Sequence, residues 1–157
     1  MSHAEVEGGA GYLVKRVQQS LRRRCDAALK PIGLSMAQYA ALRALADHPD
    51  ASASELARLC FVTRQSLQDL LAALRTAGLV RASESASARG RANALALTPA
   101  GRSRLAASHD AVIGVEDAMV QGLSREARHQ LASLLARCAE NLENDTGGAV
   151  TSVGLAP

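Results

Sequence analysis

Aromatic side chains are nearly missing from this chain of 157 residues, which has no Trp, one Phe and two Tyr. Its core must be filled by small aliphatic groups, which lets helices approach one another closely. β-Branched residues are also few, and an Ala- and Leu-rich composition of this kind predicts a mainly α-helical fold. No run of about 18 apolar residues occurs, so no membrane-spanning helix and no membrane partner is expected. The first residues lack the basic-then-apolar pattern of a secretory signal, which makes a cytoplasmic address the expectation. Cys25, Cys60 and Cys138 are odd in number and far apart, against a disulfide framework. His3, His48, His109 and His129 are equally scattered, so neither a metal site nor a cofactor is expected.

A catalytic constellation is lacking too. His109 and Asp110 are neighbours in sequence, as are Glu116 and Asp117, so on a helix the two members of each pair diverge. No phosphate-cradling Gly loop and no nucleophile elbow is present. The sequence therefore reads as a chain without catalytic residues, and not as an enzyme. Its length suits a single domain, 1–157, able to bury roughly two-thirds of its unfolded surface.

What is present is uneven charge. The net charge is +3, but residues 58–104 hold eight Arg against Asp69 and Glu84, which is 8 − 2 = +6. Residues 1–57 hold seven Lys and Arg against six acids, or +1, and residues 105–157 hold three Arg against seven acids, or −4. A positive excess confined to one segment is the electrostatic footprint of a nucleic-acid partner.

That segment has an ordered layout. Ser52 caps a short helix, with Glu55 completing a capping box, and Cys60-Phe-Val forms a turn. Thr63 then caps a second helix that buries Leu67, Leu70, Leu71 and Leu74 and ends at Gly78. A strand at Leu79–Ala82, a tip rich in Ser, Ala and Arg, and a return at Ala94–Leu97 make a hairpin of weak β-propensity. Helix, turn, helix and wing is the layout of a double-stranded DNA reader. Upstream, Leu13, Val17, Leu21, Cys25 and Leu29 make a helical stripe ended by Pro31 and Gly33. Ser35 and Gln38 box the next helix, which carries Met36, Tyr39, Leu42 and Leu45. Downstream, Thr98 caps a helix through Leu105, Val112, Val115 and Met119. Ser124 caps another with Leu131, Leu134, Leu135, Cys138 and Leu142 on one face. Residues 1–10 and 144–157 read as flexible tails.

Roles follow from chemistry and position. Ser52, Ser54 and Thr63 stand at helix starts, where hydroxyls and backbone N–H groups hold phosphates. Arg64, Gln65, Ser66 and Gln68 fall on the outward, early part of the recognition helix, where Arg suits guanine and Gln adenine. Asp69 orients Arg64 or a neighbour. Arg89 and Arg91 are the wing contacts to DNA. Two such helices must be held one turn of DNA apart, and the outer helices carry surplus apolar positions, so a homodimer is expected.

The segments Leu34-Ser-Met-Ala-Gln-Tyr-Ala-Ala-Leu-Arg-Ala-Leu, Glu55-Leu-Ala, Leu70 to Val80 and Leu97-Thr98-Pro99-Ala100-Gly101 occur in order. Together they make residues 11–143 resemble the MarR (multiple antibiotic resistance regulator) family of winged helix-turn-helix repressors. The resemblance implies a DNA-binding lobe at 35–97 with a two- to three-stranded wing, between dimerisation helices at 11–34 and 98–143. It implies a repressor acting as a homodimer on a palindromic operator, with effector pockets between lobe and dimerisation helices. Relatives respond to small aromatic acids or phenols, and Tyr12, Arg16, Tyr39 and His109 are the effector-binding candidates by position. The wing departs from the family pattern, because Arg89 stands where an Asp is expected, although Arg91 matches. Arg75 likewise stands where Glu is common. The competing readings are a thiol-based sensor of the same fold using Cys25, and a winged-helix protein–protein module.

Overall fold

Hydroxyl side chains start most of the helices, because Ser and Thr satisfy N–H groups that the helical ladder leaves unpaired. The structure is a computed structural model and describes residues 2–84 and 94–144. Its elements are α1 (His3–Glu7), α2 (Ala10–Leu29), a 3-10 turn (Lys30–Ile32), α3 (Met36–Asp47), α4 (Ala53–Leu59) and α5 (Arg64–Thr76). Strands β1 (Val80–Ala82) and β2 (Leu95–Leu97), then α6 (Pro99–Met119) and α7 (Arg125–Asn144), follow. The described residues up to Met119 form one compact unit, and those from Val120 form another.

The two expected capping boxes are both formed. Ser35 Oγ accepts from Gln38 N–H at 3.1 Å and Gln38 Oε1 accepts from Ser35 N–H at 3.0 Å. Ser52 and Glu55 do the same at 3.2 and 2.6 Å. The N-terminal stretch expected as a tail carries α1 instead. Glu5 Oε2 accepts from Ser2 N–H at 2.6 Å, and Ser2 Oγ accepts from Glu5 N–H, which is the same reciprocal cap. Of residues 144–157, read as the other tail, Asn144 closes α7 and the rest lie outside the described residues.

Two apolar clusters hold the first unit. One joins Leu42 and Leu45 of α3, Leu56 of α4, Leu67, Leu71 and Leu74 of α5, and Leu79, Val80 and Leu97 beside and on the strands. The other joins Cys25 and Leu29 of α2, Tyr39 of α3, and Val112 and Val115 of α6. Asp26 Oδ1 accepts from Met36 N–H at 2.8 Å, fastening α2 to the start of α3. Leu70, expected in the buried row of α5, is only half-buried, since it sits off the Leu67–Leu71–Leu74 line. Leu13, Val17 and Met119, read on the apolar stripes of the outer helices, stand exposed in the single chain. No residue of α7 is buried, and Leu134, Leu135 and Leu142 of its leucine stripe are exposed while Leu131 is half-buried.

β1 and β2 pair antiparallel with Val80 opposite Leu97 and Ala82 opposite Leu95. The wing stem is fastened by Thr98. Its N–H donates to Leu79 O at 3.0 Å, and its Oγ1 donates to Gly78 O at 2.7 Å. The same Oγ1 accepts from Gly101 N–H at 3.0 Å as the cap of α6. Gly101 is required there: a Cβ would overlap the Leu79 carbonyl oxygen. Leu97-Thr98-x-x-Gly101 is thus a physical joint between wing and long helix.

Candidate nucleic-acid interface

The start of α5 presents the sequence-predicted readers. Thr63 is its N-cap, with Oγ1 accepting from Ser66 N–H at 3.1 Å and donating to Ser66 Oγ at 3.0 Å. The Ser66 hydroxyl proton is then left for an outside acceptor. N–H groups of Arg64 and Gln65, in the first turn, lie outside the helix's own ladder at the positive end of its dipole. Arg64, Gln65 and Ser66 are exposed. Asp69 Oδ1 accepts from Gln65 Nε2 at 3.3 Å, so the neighbour that Asp69 orients is Gln65. The bond engages the amide nitrogen and leaves the oxygen able to accept from a base or a second donor.

Gln68 behaves differently. It is half-buried and lines a cleft of about 440 Å³ with Leu45, Ser52, Leu56, Leu71 and Leu95, between α3, α4, α5 and β2. Ser52 and Ser54 are exposed at the start of α4. Ser52 Oγ and N–H are both engaged in its capping box, which leaves its hydroxyl proton as the donor toward a phosphate. Arg89 and Arg91 lie outside the described residues. Sequence reasoning gave no role to Arg81, which is exposed on β1. Its signal was a lone Arg on the wing stem, beside strands too short for alternation to be read. Arg102 faces the other way, with Nη1 donating to Leu97 O at 3.0 Å, and serves the joint.

The four effector candidates do not converge. Tyr39 is buried, and its hydroxyl lies 3.1 Å from His109 Nδ1, joining α3 to α6 across 70 residues of sequence. Burial pushes the Tyr39 phenol up, against the opposing pull of the Arg43 guanidinium. Arg16 lies elsewhere, in a cleft of about 340 Å³ between α2 and α6. There it joins Ser20 and Arg24 over an apolar floor of Leu13, Val17, Leu21, Val115 and Met119. Arg16, Ser20 and Arg24 are spaced by four, so they share one face of α2. Tyr12 is exposed and lines neither place.

Cys25 is wholly buried, and burial, with the carboxylates of Glu116 and Asp26, pushes its thiol up against the pull of Arg24. Burial does the same to Cys60. Both environments oppose the thiolate that a sensor needs. Among the described residues, no helix is long and apolar enough to cross a membrane.

The MarR family signature matches residues 32–90. The HTH-type transcriptional repressor Rv2887 of Mycobacterium tuberculosis is 41% identical over 110 residues, which is 70% of this chain and 78% of that relative. The solved M. tuberculosis MarR family protein Rv2887 in complex with p-aminosalicylic acid superposes with a TM-score of 0.69 at 30% identity, over 83% of this chain and 98% of that one. The transcriptional repressor CouR bound to a 23-mer DNA duplex gives a TM-score of 0.75 at 31% identity, over 88% of this chain and 98% of that one.

Proposed function

This chain belongs to the MarR family, and on that footing we propose that it is a ligand-responsive repressor binding a palindromic operator as a homodimer. The family is one of transcriptional regulators, which is not an enzyme class. The observation that carries the reading is the exposed first turn of α5. It offers Arg64, the Asp69-oriented Gln65 and the Ser66 hydroxyl on one helix start, within the +6 segment. Arg64 and Gln65 read base edges in the major groove, while Ser52, Ser54, Thr63 and Ser66 hold phosphates. Gln68 reaches bases only with its outer half, and Arg89 and Arg91 supply the flanking backbone contacts. CouR bound to a duplex supports this assignment.

Dimerisation uses the apolar surface of α7 left open by the single chain, namely Leu134, Leu135 and Leu142. Covering it removes water from side chains that the chain itself leaves wet. The effector is an aromatic carboxylate, held in the cleft between α2 and α6 with its charge on Arg16 and Arg24. The relative solved with p-aminosalicylic acid supports that chemistry.

The test is selection of duplexes from a random pool, followed by anisotropy titration of the enriched sequence. An enriched palindrome should bind on the order of 10³-fold more tightly than random duplex. p-Aminosalicylate should weaken the complex, and Arg16→Gln should blunt that response. Sedimentation should give twice the chain mass. Failure to enrich any sequence would refute operator reading, and a monomer at micromolar concentration would refute the half-site geometry.

A further inference from the structure

Asp69 is out of keeping with its surroundings. It is exposed on α5, one of two acids against eight Arg in residues 58–104. Among the described residues no guanidinium pairs with it, and its hydrogen-bond partner is the neutral Gln65 amide at 3.3 Å. Gln65 and Asp69 stand four residues apart, so they share one face of the helix. The next positions on that face are Ala72, Ala73 and Thr76, all exposed and all short. Gln65 and Asp69 are therefore the farthest-reaching side chains of this ridge, with Arg64 and Gln68 on its flank.

A carboxylate on the face that approaches DNA is repelled by phosphates whatever the sequence. It can aid recognition only by weakening wrong duplexes more than the right one. The major groove supplies the difference. Adenine N6 and cytosine N4 are amino groups that donate there, whereas guanine presents O6 and N7 and thymine O4, all acceptors. An ionised carboxylate only accepts. Opposite an amino base it gains a hydrogen bond, and opposite a keto base it meets like partial charge with no proton between. Gln65 is drawn to the same side of this code, because its bond to Asp69 takes an Nε2 proton and leaves Oε1 accepting. At a rise of about 1.5 Å per residue, the two positions lie about 6 Å apart along α5, a little less than two base steps of about 3.4 Å.

We propose that Gln65 and Asp69 form one acceptor unit that reads amino against keto bases, demanding adenine or cytosine at two neighbouring positions on one strand of each half-site. Asp69 is the specificity-determining residue of the unit. It acts directly on its own base, and through the Gln65 amide on the next. This role presupposes operator binding by α5 and adds to it the class of base that is read.

The test is selection from a random duplex pool by parent and Asp69→Asn proteins, followed by competition anisotropy. Asn keeps an oxygen for the Gln65 amide and removes the charge, so it separates repulsion from tethering. The parent should enrich an operator in which two neighbouring positions of each half-site hold only A or C on one strand. Exchanging either for G or T should cost the parent about tenfold or more. Asp69→Asn should bind random duplex more tightly than the parent does, because one negative charge per subunit is gone. It should also admit G or T at one of the two positions and shrink the cost of that exchange about threefold or more. An Asp69→Asn protein that enriches the parent's operator with the same base profile, or that loses affinity on every duplex alike, would overturn the unit and leave operator binding standing. A parent half-site without two such neighbouring positions would do the same. A parent that enriches no sequence would overturn both.

Discussion

Substituting Ala for Gly in the interior of a helix ordinarily stabilises it by about 1 kcal/mol. α6 offers two glycines on which that rule should give opposite signs. A Cβ on Gly114 meets nothing within 4 Å. Gly114→Ala should therefore raise stability by about 0.5–1 kcal/mol. A Cβ on Gly101 overlaps the Leu79 carbonyl oxygen and crowds that residue's carbonyl carbon at 3.0 Å. Backbone cannot swing aside as a flexible side chain can, and the Thr98 hydrogen bonds to Gly78 and Leu79 hold it in place. Overpacking of this kind costs about 1–3 kcal/mol, and loss of the Thr98 bonds adds about 1 kcal/mol each. Set against the propensity gain, Gly101→Ala should be net destabilising by about 2–4 kcal/mol, or roughly 4–16 °C in Tm for a chain of this size. Paired thermal melts at one protein concentration measure both variants. A Gly101→Ala protein that melts as high as Gly114→Ala would refute the joint.

At the DNA surface, Arg91→Ala should weaken binding to operator and random duplex together and lower the log–log salt slope by about 1.8 for a dimer losing two phosphate contacts. Gln65→Ala should instead cost about 1–3 kcal/mol on operator and narrow the operator-to-random ratio, both read by competition anisotropy. Tyr39 is held up by burial, so the native phenol keeps its proton after the unfolded one, near pH 10, has lost it. Its contribution is complete below about pH 10 and is lost as pH rises through the native value; Tyr39→Phe should flatten the fall in Tm across pH 9–11. Iodoacetamide should label Cys25 and Cys60 only after unfolding, as mass spectrometry will read, and peroxide should leave operator affinity unchanged in parent and Cys25→Ser alike.

Local signals carried most of the fold. Ser35–Gln38 and Ser52–Glu55 were legible because a capping box is complete within four residues. Thr98 was legible as a cap, but its bond to Gly78 crosses 20 residues and has no sequence signature. α1 was missed although Ser2 and Glu5 have capping-box spacing, because the glycines that follow outweighed a helix of five residues. Phe61 was read as turn, but its left-handed backbone was hidden, since that conformation is signalled by Gly or Asn. Among site residues, Arg64, Gln65 and Ser66 lie outward on the helix start where periodicity put them. Gln68 does not fully, because its side is shared with α4 and β2, and neighbours from other elements are invisible to a helical wheel. Tyr39 and His109 were singled out separately as ligand contacts, and they are hydrogen-bonded to each other, a pairing that only packing reveals.

The Thr98 joint also sets the mechanics of the recognition helix. Its hydroxyl grips Gly78, just past the far end of α5, while its N–H grips the start of the wing. α5 therefore has one end clamped by hydrogen bonds and, at Thr63, an end that follows a short turn and is held by the packing of Leu67 and Leu71. With 13 residues at about 1.5 Å each, the arm from clamp to tip is about 20 Å. A tilt of about 5° about the clamp would carry the tip about 1.7 Å, enough to break hydrogen bonds whose tolerance is a few tenths of an ångström. A repressor built this way can let go of its operator by pivoting one helix, with its wing stem and long helix still locked together.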